Sequence, residues 1–218
     1  MPNKAVIAGA SGLIGSYLLN ILLDAQQYDE VLALVRRELP VQHKKLVQLV
    51  IDFDKLDEHK EAINGYALFC CLGTTKKKTP DPNQYRKIDH HYPLQLAQLA
   101  RQNGVKQYHL VSSLGANSKS SNSYLKTKGE TEEAIQKVGI RSLNIYQPSF
   151  LTGDRKEPRF GEHFLIGLMK LIDPILVGSL RKYRSIPAET VARAMYKQSL
   201  KTEEGIFVHP SDKIKLLA

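Results

Sequence analysis

Tyr124 and Lys128 stand four residues apart, a short way beyond the pair Ser112-Ser113. On a helix that spacing puts the phenol and the ammonium on one face. Free tyrosine has a pKa near 10, too high for a base at neutral pH. A neighbouring ammonium stabilises the phenolate and brings proton transfer toward the working range. A seryl hydroxyl can hydrogen-bond a carbonyl or alcohol oxygen. Together these groups could exchange a proton with that oxygen while a nicotinamide exchanges hydride at the carbon. Tyr124 is the only one of the ten tyrosines with a lysine four residues on.

A second chemical signature lies near the start. Gly9-Ala10-Ser11-Gly12-Leu13-Ile14-Gly15 separates a short apolar β run from an amphipathic helical stretch. Glycine there permits a tight turn and close approach of backbone to a pyrophosphate. The following helix N-terminus offers unpaired N–H groups and a positive dipole end. The spacing is G-x-x-G-x-x-G, which differs from the G-x-G-x-x-G of many dehydrogenases. The next strand, Val31 to Val35, runs into Arg36-Arg37. An NAD site places Asp or Glu there for the ribose 2′-hydroxyl. A guanidinium suits a 2′-phosphate by charge and bidentate geometry, which points to NADP(H).

The elements that must position these groups alternate along the chain. Strands are expected at Ala5–Ala8, Val31–Val35, Leu46–Ile51, Tyr66–Leu72, Gln107–Val111, Arg141–Tyr146 and Ile206–His209. Helices are expected at Leu13–Leu23, Asn83–Asn103, Ser121–Lys137 and Pro187–Leu200. Strands separated by helices imply right-handed βαβ units, hence an α/β fold with a doubly wound parallel sheet, a Rossmann fold. Residues 1–218 read as one such domain. From about 150 onward the pattern loosens into a small C-terminal cap over the carboxyl edge of the sheet, where such sheets bind ligands. The apolar stretch Phe164 to Leu180 suits an apolar substrate pocket, a homodimer face or a membrane surface. Lys170 and Asp173 within it favour burial of one side only.

Composition narrows the field. The formal charge is +9, but the densest basic run is only Lys76-Lys77-Lys78. There is no zinc spacing, aromatic RNA-binding signature or long basic arm, so no nucleic-acid partner is expected. His90 and His91 are adjacent and point about 100° apart on a helix, a poor arrangement for one metal. Cys70 and Cys71 are neighbours in an apolar run, where a strand would turn them to opposite faces, so no disulfide is expected. Two buried thiols suit a reducing cytosol. The first residues lead straight into a strand, and no run of 18 apolar residues is uninterrupted. A cytoplasmic protein with no transmembrane segment is the expectation.

The glycine loop, the Ser-Ser strand end and Tyr124-x-x-x-Lys128 resemble the short-chain dehydrogenase/reductase superfamily. More narrowly, Phe69-Cys70-Cys71-Leu72-Gly73-Thr74-Thr75, Ser112-Ser113-Leu114-Gly115-Ala116 and Tyr124 to Glu130 resemble its atypical branch, that of the Tat-interacting oxidoreductases. The likeness runs from about Lys4 to Leu200. It implies an NADPH-binding Rossmann core. By match, Ser11, Gly12, Leu13 and Ile14 would cradle the phosphates between Gly9 and Gly15, and Arg36 and Arg37 would hold the 2′-phosphate. Leu72, Gly73 and Thr74 would lie against the cofactor, Tyr124 and Lys128 against the nicotinamide ribose, and Leu151 near the nicotinamide. Asp52 would meet the adenine. Ser113, rather than Ser112, occupies the catalytic serine position.

The chain departs from the pattern in two places. Standard members carry Asn-Ala-Gly where this chain has Leu72-Gly73-Thr74. The helix asparagine that completes a proton relay has no evident counterpart, although Asp89 and His90 stand near its place. The reading is therefore an NADP(H)-dependent oxidoreductase acting on a small-molecule carbonyl or alcohol, with Tyr124, Lys128 and Ser113 as its catalytic groups. The alternative is a non-catalytic NADPH-sensing regulator or assembly protein, as some relatives in the branch are. The intact Tyr-Lys pair argues for the enzyme.

Overall fold

The computed structural model describes residues 3–153 and 173–218. Its centre is β1 (Lys4–Ala8), paired on one side with β2 (Glu30–Val35) and on the other with β4 (Ala67–Cys70). These strands are apolar almost throughout, because both faces of a parallel sheet are covered. With β3 (Leu46–Val50), β5 (Gln107–Val111), β6 (Ser142–Gln147) and β9 (Gly205–Pro210), the sheet order is β3-β2-β1-β4-β5-β6-β9. Every pairing is parallel. The order reverses between β1 and β4, which opens a crevice at their carboxyl ends.

Two hydrophobic cores sandwich the sheet. On one face α1 (Leu13–Asp24) packs along α5 (Ala188–Ser199), burying Leu18, Leu22, Val191 and Met195 over Ile7 and Phe69. The opposite face carries a 3₁₀ helix (Phe53–Ala62), α3 (Tyr92–Gln102) and α4 (Ser123–Gln136), with Leu56, Leu96 and Ile135 over Val6 and Leu68. No helix among the described residues is long and apolar enough to cross a membrane.

Two expectations change. The long helix expected over 83–103 is divided into α2 (Pro82–Arg86), a π-helical turn (Lys87–His91) and α3. Pro93 is the physical cause. It has no N–H for the carbonyl four residues back, which belongs to Asp89, and its ring crowds that carbonyl. Thr131 Oγ1 meets the Asp89 carbonyl oxygen instead, at 3.0 Å. The fourth strand ends at Cys70, so Leu72 and Gly73 are loop residues. Both cysteines are unpaired.

The tail is only partly a cap. Its β9 extends the sheet and α5 covers a face, with α6 (Ser211–Leu217) beside it, so residues 188–218 complete the core. The short pair β7 (Leu151–Thr152) and β8 (Ile186–Pro187) stands apart from the main sheet. Much of the apolar stretch 164–180 lies outside the described residues. Its described end, from 173, forms two short 3₁₀ turns, Asp173–Ile175 and Gly178–Tyr183.

Candidate cofactor and catalytic site

Gly9, the residue after β1, takes φ of 88°, a region that favours glycine. A Cβ there would stand 2.5 Å from the Cys71 carbonyl oxygen, and one at Gly15 would stand 2.1 Å from the Gly9 oxygen. The turn is thus pressed between the end of β4 and the first turn of α1. Gly12 caps that helix without a side-chain hydrogen bond, and no acidic residue lies in the first turn. The N–H groups of Leu13, Ile14 and Gly15 precede the first intrahelical bond, and the exposed Ser11 hydroxyl lies beside them. Donors, dipole and absent side chains fit a dinucleotide diphosphate.

The neighbouring strand ends supply the rest of the crevice. Arg36 and Arg37 are exposed immediately past β2, whose Leu34 is paired with Ala8 of β1. Asp52 lies past β3, is exposed, and accepts the Asp54 N–H at 3.0 Å, so it caps the 3₁₀ helix. Leu151, half-buried in β7, packs against the same core cluster as Leu13 of the phosphate turn.

The two serines after β5 have different duties. Ser112 is buried and donates to Glu132 Oε1. Gln147 Nε2 donates to both oxygens of that carboxylate at 3.0 Å. Burial pushes the Glu132 pKa up, although the Ser112 and Gln147 hydrogen bonds oppose it. Ser113 is half-buried, and among the described residues its hydroxyl makes only a long 3.5 Å approach to the Leu114 carbonyl. Its Oγ is therefore the one available to a substrate.

Asn122 caps α4, its Oδ1 accepting from the N–H groups of Tyr124 and Leu125. That cap begins the helix where Tyr124 and Lys128 can share a face. Tyr124 is 37% exposed, whereas Lys128 is buried. The ammonium lies 2.8 Å from Asp89 Oδ1, with the Asp89 side chain 0% exposed. Asp89 Oδ2 accepts the Thr74 N–H at 2.8 Å. A Cβ on Gly73 would stand 3.6 Å from Asp89 and 3.7 Å from Lys128, so the loop after β4 lies directly on the ion pair. Burial works to lower the Lys128 pKa, but the Asp89 carboxylate and then Tyr124 outweigh it, and the net shift is upward. The lysine is a fixed cation beneath Tyr124.

Folding thus gathers the glycine turn, Arg36, Arg37, Leu72, Gly73, Thr74, Ser113, Tyr124 and Lys128 at one edge of the sheet. What sequence reasoning did not supply is Asp89 as the counter-ion of Lys128, or Glu132 as the anchor of Ser112. The available signal was Pro93, which opens the helix where Asp89 turns inward. His90 Nδ1 lies 3.0 Å from Thr131 Oγ1, and its ring meets His91 edge-on at 5.3 Å.

This strand order, phosphate turn and Ser-Tyr-Lys group define an NAD(P)-binding Rossmann protein of the short-chain dehydrogenase/reductase type. The chain belongs to the NAD(P)H-binding family, whose model matches residues 9–199. It is 36% identical to protein HTATIP2 of Rattus norvegicus over 210 residues, covering 94% of this chain and 85% of that one. It is 33% identical to the mitochondrial protein FMP52 of Saccharomyces cerevisiae over 171 residues, covering 76% and 74%. Its fold is similar to that of MoeE5 in complex with UDP-glucuronic acid and NAD, with TM-score 0.73, 18% identity and coverage of 95% and 75%. It is also similar to UDP-glucose 4-epimerase from Thermotoga maritima, with TM-score 0.69, 16% identity and coverage of 98% and 81%.

Proposed function

We propose that this protein is an NADP(H)-dependent oxidoreductase that exchanges hydride with a small carbonyl or alcohol compound. The observation that carries the reading is the buried Lys128 ammonium beneath a half-exposed Tyr124, at the same sheet edge as the diphosphate cradle. A nicotinamide dinucleotide held by the glycine turn would supply or accept the hydride at the substrate carbon. Tyr124 passes a proton to or from the substrate oxygen, and Ser113 Oγ donates a hydrogen bond to that oxygen. Lys128 stabilises the phenolate and anchors the ribose. Arg36 and Arg37 read the 2′-phosphate, which makes NADP(H) the preferred coenzyme.

The test is NADPH oxidation with a panel of aldehydes and ketones. Tyr124→Phe should lower turnover by about a hundredfold or more while NADPH still binds. Unchanged turnover in that variant refutes the role of Tyr124. In parallel, Arg36→Asp should weaken NADPH by about tenfold or more with little change for NADH. Equal losses for both coenzymes refute the preference.

One observation favours a second reading, a cofactor-sensing binding protein. The Asp89 carboxylate offsets part of the field by which Lys128 would stabilise a Tyr124 phenolate. That reading predicts tight NADPH binding, no turnover on the panel, and a partner held in only one cofactor state. Two unpaired thiols suit a reducing compartment, and the cytoplasm is the location we propose.

A further inference from the structure

A cavity of about 580 Å³ lies between α2, the start of α4 and the loop after β4. That volume is in the range of small-molecule sites. Lys76, Arg86 and Lys126 line it, against a single carboxylate, Glu130, which the Arg86 guanidinium already binds. Lys76 and Lys126 are exposed and enter no salt bridge among the described residues. Pro80 and Pro82 stiffen the wall and offer no N–H. The Thr127 hydroxyl donates to the Ser123 carbonyl at 2.9 Å, and Thr79 Oγ1 is paired with Thr74 Oγ1 at 2.9 Å. The polar groups left to a ligand are therefore mostly cations and donors.

Tyr85 supplies an independent sign of a ligand. It lines the cavity and is only 6% exposed, yet its buried hydroxyl has no hydrogen-bond partner among the described residues. Buried phenols ordinarily find one. Burial, aided by Asp89, pushes this phenol up to about 12, so it stays a donor at any physiological pH. Lys128 and Tyr124 also act on it electrostatically, so Tyr85 lies near the reaction centre as well as on the cavity wall. Ser123, Lys126, Thr127 and Glu130 form one face of the first two turns of α4, and Tyr124 and Lys128 project from the adjoining face of the same turns.

We propose that this cavity receives the anionic end of the substrate, so that the compound reduced is a carbonyl compound bearing a carboxylate or a phosphate. The anion sits between Lys76 and Lys126, and an acceptor oxygen of the ligand takes the Tyr85 hydroxyl. The carbonyl end then points toward Tyr124. This rests on the oxidoreductase reading above, but its test reads binding separately from turnover.

The probes are para-carboxybenzaldehyde, para-formylphenyl phosphate and the neutral para-formylbenzamide. Each is titrated calorimetrically into the full chain saturated with NADP⁺, where no reduction can occur, and assayed separately with NADPH. At least one anion should bind about tenfold or more tightly than the amide, and the stronger of the two identifies carboxylate or phosphate. Lys126→Gln should erase most of that preference while amide binding holds, and Tyr85→Phe should weaken all three probes. Equal binding of anions and amide, no binding of any probe, or a preference untouched in both Lys76→Gln and Lys126→Gln overturns the proposal. Selective anion binding without reduction by NADPH keeps the pocket and sinks the oxidoreductase reading. Reduction of acid and amide alike, indifferent to Lys126→Gln, does the reverse.

Discussion

The Asp89 carboxylate holds the Lys128 ammonium at 2.8 Å, with the carboxylate side chain 0% and the lysine side chain 7% exposed. The helix carrying Asp89 is widened into a π turn at that point, and π turns recur at functional sites. The charge that matters to Tyr124 is thus that of a pair, not of lysine alone. Asp89 tethers the cation, and it also weakens the cation's pull on the phenol above.

Replacing Asp89 by Asn keeps the shape and the acceptor for the Thr74 N–H but strands a buried ammonium. Losing one partner of a buried ion pair costs about 3 kcal/mol. Chemical denaturation of Asp89→Asn should show a loss of that order, together with a downward shift of the Lys128 pKa. A variant as stable as the parent would mean that the pair is not closed in solution.

Gly15 tolerates no side chain, because its Cβ position is 2.1 Å from the backbone oxygen of Gly9. Gly15→Ala must push the phosphate turn away from α1. We expect a loss of about 1–3 kcal/mol in stability, as for other overpacked sites, and a larger loss of dinucleotide affinity. Thermal melts with and without NADPH separate the two. Full coenzyme-induced stabilisation in the variant would show that the turn does not bind the diphosphate.

The two serines should separate cleanly. Ser112→Ala removes a donor to the buried Glu132 and should cost about 1–3 kcal/mol with turnover preserved at low temperature. Ser113→Ala should leave stability nearly unchanged and lower turnover. The reverse pattern would reassign the catalytic hydroxyl to Ser112.

Acid should destabilise the fold through two buried histidines. His109 Nε2 lies 2.9 Å from Gln107 Oε1, so that nitrogen carries the proton and Nδ1 accepts from the Tyr146 hydroxyl at 3.0 Å. Burial, with His209 adding, lowers the His109 pKa from 6.5 to about 3. Burial, with Lys213 and Lys201 adding, lowers that of His209 to about 4. The unfolded chain takes up these protons near pH 6.5 and the folded chain does not. Stability supplied by the neutral rings is therefore complete above pH 6.5 and falls as pH drops toward 4. Each ring contributes a slope of up to about 1.4 kcal/mol per pH unit. His209→Gln should flatten unfolding free energy against pH by one such proton, and an unchanged slope would place that ring in water.

Much of this arrangement was legible before folding was considered, because it rests on short-range chemistry. Gly9 to Gly15 is a turn whose requirement for glycine is local. Arg36-Arg37 follows a strand that its own apolar run defines, and Tyr124 and Lys128 meet through one turn of a single helix. The alternation of strands and helices was enough to imply the parallel sheet and its crevice. Pro93 also carried a signal, since a proline inside a helix must release the carbonyl four residues back.

Other features exist only where distant segments meet. Asp89 becomes the counter-ion of Lys128 because the π turn and α4 dock against each other, and no spacing along the chain encodes that approach. Ser112 and Ser113 are chemically identical, and only Glu132 reaching in from α4 separates a structural hydroxyl from an available one. The tail reads as irregular, yet β9 finds its place by pairing with β6. Tyr85 is an ordinary helix tyrosine until packing removes water from its hydroxyl and sets no hydrogen-bond partner beside it among the described residues. Local stereochemistry and period set the elements and the phosphate turn. Burial and charge pairing, which depend on what the three-dimensional packing excludes, decided which side chains are free to act.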